Sequence, residues 1–255
     1  MSFDSISRKL RYPILVLAML ASACLSATAA SDEPRRSCRI VFLAAPDGAP
    51  ESLHLFDGEK SQPVDLPRLG LSEVYALPAG DIHIALLSKA VQTVSPGKPS
   101  PVPAGAPTAA IPAAMTDFYL LLSSDPANSV APVKIQVIDA NPAQFKRGQQ
   151  LWFNLTPNQV GGILGSQKVR FEPNSRSIVD APASSGGGYQ VNLYHLPPGK
   201  KQTYPICETQ WIYDPAARSV FFILMPTNKR TPHVFGMFDA RNAKTDRNSQ
   251  SSETE

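Results

Sequence analysis

The sequence predicts an all-β protein composed of two tandem antiparallel β-sandwich domains that follow a signal peptide. Three observations predict this class. Short apolar or alternating runs such as CRIVFLAA, which ends at Pro46, and SLHLF, which ends at Asp57 and Gly58, are typical of strands followed by turns. No stretch of about a dozen residues has the period of an amphipathic helix. Four sequence blocks of the amino-terminal half recur in the same order in the carboxyl-terminal half.

The first 29 residues have the layout of a secretory signal peptide. A basic start with Arg8 and Lys9 precedes the apolar run PILVLAMLASACLSA, and small residues lead to an expected cleavage after Ala29. The apolar run is shorter than the roughly 20 residues that span a bilayer, so we favour cleavage over a retained membrane helix. We therefore expect an exported protein, periplasmic, in the outer envelope or extracellular, with no membrane span in the mature chain.

Cys24 offers an alternative form of processing. The segment LASAC ends at Cys24 and resembles the lipobox of bacterial lipoproteins, in which the cysteine is lipidated after cleavage. That pattern prefers Leu three residues before the cysteine, where this chain has Ala21. Cleavage without lipidation is the main prediction, and a lipid anchor at Cys24 is the alternative.

The charge balance argues against a nucleic acid partner. The whole chain has 24 basic and 21 acidic residues, and loss of residues 1–29 removes three basic and one acidic residue, which leaves 21 and 20. Proteins that bind nucleic acid neutralise several phosphates with a concentrated basic patch. A nearly neutral mature chain with scattered basic residues does not have that pattern.

Two cysteines, Cys38 and Cys207, remain after removal of the signal peptide. In an oxidising compartment they could form one disulfide, which would stabilise the fold by about 4–5 kcal/mol in the chain-entropy model because the loop is long. The alternative is that each is a small buried apolar side chain on a strand. The sequence leaves both interpretations open.

Proline-rich and turn-forming segments separate the predicted strands. A proline-rich stretch covers residues 93–114, and since proline cannot donate to a sheet ladder, we expect a long exposed loop there. The segment DPAARS, residues 214–219, is expected to connect a hairpin. Residues 243–255 have no large apolar side chain and should form a disordered tail. Further strands are expected in SLHLFDG, DFYLLLSS, VKIQVIDAN, QQLWFNL, KVRFEP, YQVNLYHL, TQWIY, SVFFILM and HVFGMFDA.

The recurring blocks predict two copies of one domain. VFLAAPD can be aligned with WFNLTPN, which places Val41 on Trp152, and VYALPAG with LYHLPPG, which places Tyr75 on Tyr194. DFYLLLSS then falls on SVFFILMP, and VKIQVIDAN on HVFGMFDARN. The proline-rich stretch lies between the second and third blocks of the first copy, so it is a loop within domain one. The predicted domains cover residues 38–141 and 146–242, and their length suits immunoglobulin-type sandwiches.

Part of the first copy resembles a known family. The segments AAPDGAPESLHLFDG and YALPAGDIHIALL are similar to the pattern SPDAP, VYVDG and LPAG of secreted immunoglobulin-like domains of unknown function, which occur in bacterial envelope proteins. The resemblance covers about fifty residues of the first copy and reaches the second copy only through LYHLPPG. It implies an immunoglobulin-like fold and an envelope location, and it assigns no catalytic residues.

The residue patterns contain no recognisable catalytic or cofactor site. The four histidines are too isolated in sequence to form a metal motif, and there is no Gly-x-Ser-x-Gly elbow. SSGGGY lacks the Lys-Ser/Thr ending of a phosphate-binding loop, so a flexible connection is expected. We predict neither cofactor nor metal nor enzymatic activity. The histidines are His54, His83, His195 and His233.

Exposed aromatic residues would be the best candidates for an interaction surface. Trp211 and Tyr213 lie two residues apart, so they share one face of a strand. That face is expected to be the core, and the alternative is a contact surface, because Trp and Tyr are favoured at binding sites.

The sequence favours a non-enzymatic structural or interaction module, whose partner is an unknown envelope protein or polysaccharide. A glycan-binding module that uses the Trp211 face is one alternative, and a hydrolase with an unrecognised site is another. We expect the tyrosines of VYALPAG and LYHLPPG to face the core or a corner of the sandwich, with Leu-Pro-x-Gly forming a turn.

Overall fold

The computed structural model describes residues 36–91, 101–226 and 228–240, which form an all-β structure of sixteen strands. The described residues contain no α-helix, and hence no helix that could cross a membrane. The strands are β1 (Arg36–Phe42), β2 (Ser52–Phe56), β3 (Ser61–Asp65), β4 (Tyr75–Leu77), β5 (Ile82–Leu87), β6 (Thr108–Ile111), β7 (Asp117–Ser124), β8 (Val133–Asp139), β9 (Gln150–Asn154), β10 (Gln159–Leu164), β11 (Gln167–Phe171), β12 (Ser175–Val179), β13 (Gly187–Leu196), β14 (Tyr204–Tyr213), β15 (Arg218–Leu224) and β16 (His233–Asp239).

The strands form four sheets of four, arranged in two pairs. The first sheet pair consists of β4-β1-β7-β8 and β3-β2-β5-β6, and the second consists of β12-β9-β15-β16 and β11-β10-β13-β14. The two pairs have the same strand order, because each strand of the first has its counterpart eight strands later. In both, a parallel ladder joins the first strand to the seventh, β1 to β7 and β9 to β15.

Each sheet pair encloses a hydrophobic core, and a third apolar cluster joins the two pairs. In β1, Ile40 and Phe42 face the first core, whereas Val41 faces the third cluster. Strands β1 and β7 are therefore buried on both faces, which explains why CRIVFLAA and DFYLLLSS are continuous apolar runs. We call the third cluster the inter-pair cluster; its buried members are Val41, Leu43, Tyr119, Leu121, Ile138, Ala140, Phe145, Leu151, Phe153, Val220, Phe222 and Met237.

The proline-rich stretch is only partly a loop. Residues 92–100 lie outside the described residues, and Thr108–Ile111 forms β6, which pairs with β5 and buries Ile111 in the first core. The expectation of an exposed loop throughout residues 93–114 was therefore wrong. The segment between Pro107 and Pro112 has four residues that can donate to a ladder, and the prolines delimit the strand instead of preventing it. Val102 and Ala106 pack against Phe56 and its neighbours on the outer side of the first pair.

The connection DPAARS does not close a hairpin. β14 pairs with β13, whereas β15 pairs with β9 and β16, so residues 214–217 carry the chain from one sheet to the other. The carboxylate of Asp214 accepts a hydrogen bond from the amide of Ala216 at 2.8 Å, which stabilises a turn as expected for Asp. Turn chemistry predicted the reversal, but it carries no information about which sheet the next strand joins.

The tyrosine motifs lie at different places in the two pairs. Tyr75 is on β4, whereas Tyr194 is on β13, the counterpart of β5. The first motif leads from β4 to β5 and the second from β13 to β14, so the alignment of these two motifs was wrong by one strand. Leu-Pro-x-Gly suits the end of any strand, because Gly80 and Gly199 supply the positive φ that the turn requires (84° and 72°).

The alignment of the first block was also wrong, by one residue. Val41 faces the inter-pair cluster, whereas Trp152 faces the second core, so the two positions lie on opposite faces of their strands. Side chains alternate with period two, and a shift of one residue exchanges the faces. The matching strand order does not depend on either alignment.

The segment between β8 and β9 packs against the strands and is hydrogen bonded to them. Phe145 is buried in the inter-pair cluster, and the side-chain oxygen of Asn141 accepts hydrogen bonds from the amides of Thr116 and Asp117 at 2.9 and 3.2 Å. The boundary between the predicted domains 38–141 and 146–242 falls in this segment and stays a prediction. The predicted signal peptide (1–29), Cys24 and the predicted tail (243–255) lie outside the described residues.

Candidate functional site

A cluster of charged side chains lies buried between the two sheet pairs. Asp117 and Tyr119 begin β7 of the first pair, and Arg218 and Asp239 stand directly opposite each other on β15 and β16 of the second. Arg39 of β1 completes the group. We call these five residues the ion cluster.

The ion cluster is connected by short hydrogen bonds. Nη2 of Arg218 donates to Oδ2 of Asp117 and to Oδ2 of Asp239, both at 2.8 Å. The hydroxyl of Tyr119 donates to Oδ2 of Asp239 at 2.5 Å, and Nη1 of Arg39 donates to Oδ1 at 2.9 Å. Three of these four bonds join the first sheet pair to the second. Asp239 thus accepts hydrogen bonds from three side chains.

The surroundings of Arg218 favour its charge. Burial on its own would lower the pKa of the guanidinium, but Tyr119, Asp117 and Asp239 outweigh it and raise the pKa above its usual value. Nη1 donates to the carbonyl of Ala140 at 2.6 Å, and the guanidinium lies 5.2 Å from the centre of the Phe145 ring.

This arrangement joins the two sheet pairs. A buried ion pair contributes little net stability compared with apolar packing, but removal of one partner costs about 3–5 kcal/mol because a charge is left without compensation. The carboxylates of Asp117 and Asp239 are already occupied by arginine donors, so they are poorly suited to act as general acids or bases. The ion cluster therefore supports a structural role.

Sequence reasoning missed the ion cluster, although a signal exists. Asp117 and Arg218 each begin a strand that is buried along most of its length, and Asp239 ends the more exposed strand β16. A charged residue that borders a strand buried on both faces needs a partner nearby. The partners in the two different sheet pairs are 101 to 200 residues apart in sequence, so only the packing of the sheets identifies them.

A second polar group lies inside the second sheet pair. Gln150 accepts a hydrogen bond from the indole nitrogen of Trp152 at 3.1 Å and donates to the hydroxyl of Tyr189 at 2.9 Å. Burial raises the pKa of Tyr189 to about 12, although the Gln150 bond lowers it. Trp152 stacks on Phe171 and Phe221, with ring centres 4.9 and 4.4 Å apart. The group is satisfied within the core and stabilises it.

The buried polar side chains of Asn154 and His195 lie at the end of the same core. The side-chain amide of Asn154 donates to the carbonyls of Asn158 and Glu172 at 2.7 and 2.9 Å. The amide of Asn158 contacts Nδ1 of His195 at 3.0 Å, and burial lowers the pKa of that histidine. A neutral imidazole with an accepting Nδ1 fits this contact.

The outer face of the sheet β11-β10-β13-β14 has a shallow depression of about 280 Å³. Gly161 lies opposite Tyr194 on one side and Arg170 on the other. The hydroxyl of Tyr194 is hydrogen bonded to Glu208, and Nε of Arg170 to Glu172 at 2.6 Å. An aromatic ring beside a glycine and polar groups forms a surface that a small polar ligand could contact.

The predicted interaction residues lie mainly in the second core. Tyr213 is 6% exposed, and Trp211 is half-buried against the same core. Trp211 lies parallel to Phe221, with ring centres 5.0 Å apart, and meets the Tyr189 ring edge to face. These positions agree with the expectation that their shared face is the core, and they leave little of either side chain for a partner.

The two cysteines are not brought together. Cys38 lies in the first core, and Cys207 is half-buried against the second, where burial raises the pKa of its thiol. A disulfide needs Cα atoms within about 7 Å of each other, and these residues belong to different cores. Their positions on strands β1 and β14 agree with the alternative interpretation of small buried side chains.

The described histidines do not converge on one another. His54 is half-buried on β2, His83 is exposed on β5, His195 is buried and His233 is exposed. In the described ranges, no three side chains of His, Cys, Asp or Glu are arranged to hold a metal ion.

Comparisons with known proteins add no relative. No family model matches the chain, and no curated protein matches it significantly. The class of the protein is therefore defined by its structure, an all-β chain with four sheets in two pairs.

Proposed function

We propose that this chain is an exported, non-enzymatic structural or interaction module, built from two tandem immunoglobulin-like β-sandwiches that act as one rigid body. The identical strand order of the two sheet pairs supports the tandem arrangement. The layout of residues 1–29 supports export to the periplasm, the outer envelope or the medium.

The ion cluster is the observation that carries the proposal. Independent domains of one chain usually share smaller and more polar contacts and move relative to each other. Here Arg218, Asp117 and Asp239 join the two pairs inside an apolar cluster, so the relative position of the pairs is determined. Such a body can hold its outer surfaces at a set distance, as a structural or adaptor protein does.

Export can be tested on the full chain. We would express it in a Gram-negative bacterium, separate cytoplasm, periplasm and membranes, and measure the intact mass. A mass that begins at Ala30 in the periplasm supports the proposal. A lipid-modified mass that begins at Cys24 supports the envelope location with the alternative processing, whereas an unprocessed chain in the cytoplasm contradicts export.

The interaction role is tested by co-sedimentation of the purified mature chain with isolated cell envelopes. Pretreatment of the envelopes with protease identifies a protein partner, and pretreatment with glycosidases identifies a polysaccharide. We expect one of the two treatments to abolish sedimentation. Absence of sedimentation with untreated envelopes would contradict the role.

A glycan-binding module is the second candidate, favoured by the depression at Gly161. Sugars bind through an aromatic ring and surrounding polar groups, and Tyr194 with Gln159 and Arg170 lines this depression. Tyr194→Ala should abolish polysaccharide binding, whereas Phe238→Ala, which changes an exposed aromatic residue on β16, should not. Equal binding by both variants would exclude this face.

A further inference from the structure

Strand β14 is an unusually long edge. It has ten residues, it ends the sheet β11-β10-β13-β14, and β13 is the only strand with which it pairs in the described part of the chain. Ile212 is 70% exposed at its carboxyl-terminal end. An edge strand presents a row of backbone donors and acceptors that can pair with another chain.

The counterpart of β14 in the first pair has the usual protection of an edge. β6 has only four residues and lies between Pro107 and Pro112. Short length and flanking prolines are the means by which proteins prevent pairing at an edge. In β14 the segment from Ile206 to Tyr213 contains no proline, lysine or arginine. The equivalent edge is thus protected against pairing in the first sheet pair and unprotected in the second.

We propose that β14 pairs antiparallel with β14 of a second copy of this chain, with the twofold axis at Thr209. The two sheets would then form one sheet of eight strands. This goes beyond the structural role proposed above, which a monomer could also fill.

The register follows from the side-chain faces. Glu208 and Gln210 lie opposite Asn192 and Gln190 on the outer face, whereas Cys207 and Trp211 pack towards the core. Residues that face each other across an antiparallel ladder lie on the same face of the sheet. The twofold axis must therefore pass through a residue, because an axis between two neighbouring residues would pair side chains of opposite faces. An axis at Glu208 would place two carboxylates opposite each other, which is destabilising.

An axis at Thr209 gives complementary pairs. Thr209 meets Thr209 of the second copy, and Gln210 meets Glu208, so that an amide can donate to a carboxylate on both sides of the axis. Trp211 lies opposite Cys207 of the second copy, which extends the apolar face of the core. Pro205, which has no N–H, ends the paired segment. The sequence CETQW is therefore self-complementary, which favours a second copy over an unrelated strand.

The experiment uses opposite charges on the axis. The mature chain is studied by size-exclusion chromatography with light scattering over a concentration series, and we expect a mass twice that of the monomer at high concentration. Thr209→Lys or Thr209→Glu alone places like charges face to face and should raise the dissociation constant by about tenfold or more. An equimolar mixture of the two variants should restore association. Thr203→Lys, at an exposed threonine outside β14, is the control and should associate like the unchanged chain.

Two results would overturn the proposal. One is a monomeric mass for the unchanged chain at every concentration, which would leave the edge to a different partner. The other is association that persists in the single Thr209 variants, which would place the contact elsewhere. Circular dichroism and thermal unfolding of each variant show that loss of association is not loss of folding.

Discussion

The two sheet pairs have one strand order and two kinds of core. The first core contains apolar side chains with Tyr75 at its edge, whose hydroxyl accepts a hydrogen bond from the amide of Asp65 at 2.8 Å. The second contains an aromatic stack around Trp152 and buried amides from Gln150 and Asn154. The order of strands is therefore compatible with different core chemistry, provided that each buried polar group has a partner.

The largest expected effect concerns the junction of the two pairs. Asp239→Ala removes the acceptor shared by Arg218, Arg39 and Tyr119, and should lower the free energy of unfolding by about 3–5 kcal/mol. Chemical denaturation measures the change. Asp214→Ala, at an exposed turn, is the matched control and should cost much less. A similar loss in both variants would contradict the prediction that the ion cluster stabilises the junction more than an exposed turn does.

The second prediction concerns the polar core of the second pair. Asn154→Ala removes a fully buried side chain that donates to the carbonyls of Asn158 and Glu172 and accepts a hydrogen bond from the hydroxyl of Thr156, so we expect a loss of about 2–3 kcal/mol in the free energy of unfolding. Urea denaturation, analysed with one common dependence of the free energy of unfolding on urea concentration, measures this loss. Asn192→Ala, a half-buried asparagine facing outward on β13, should change stability far less. A negligible loss for Asn154→Ala would contradict a stabilising role for this buried amide.

The third prediction is a dependence of stability on pH that arises from the second pair. His195 has a folded-state pKa below its usual value because it is buried, so the unfolded chain binds a proton more readily. Its contribution to stability is present above the unfolded pKa of about 6.5 and is lost as pH falls towards the folded value. His195→Gln should reduce the change of the urea midpoint between neutral and mildly acidic pH. His233→Gln, at an exposed histidine, should leave that pH dependence unchanged.

The smallest effect on stability is expected from treatment with a reducing agent. Since Cys38 and Cys207 lie in different cores, addition of dithiothreitol should leave the denaturation midpoint of the mature chain unchanged. Intact mass after alkylation under denaturing conditions gives the number of reactive thiols. A midpoint that falls on reduction, together with unreactive thiols before it, would establish the disulfide.

Much of the fold follows from short stretches of sequence. Alternation and apolar runs predicted β2, β5 and β7, and turn residues located most of the strand ends. The sequence pattern did not predict strands β3 and β10, because Pro63 and the pair Gly161 and Gly162 are unusual within strands. Gly162 is required there, since a Cβ atom would lie 1.9 Å from the carbonyl oxygen of Asn192. Such a close approach is a property of the packed sheet.

The candidate site could not be found in the same way. Trp211 and Tyr213 attract attention as adjacent aromatic residues, yet they pack mainly into the second core. Asp117, Arg218 and Asp239 are ordinary residues at strand ends until two sheets meet. A search for motifs has no access to pairs formed between strands far apart in the chain.

Local sequence determined the all-β class, most strands and the turns, because backbone preferences and side-chain alternation act over a few residues. The tertiary structure decided which sheets share a core, which strands end a sheet and which charges meet. Those outcomes depend on the burial of whole faces, as the positions of Val41 in the inter-pair cluster and Trp152 in the second core show. A difference of one residue in register decides between those faces, and only packing selects the register.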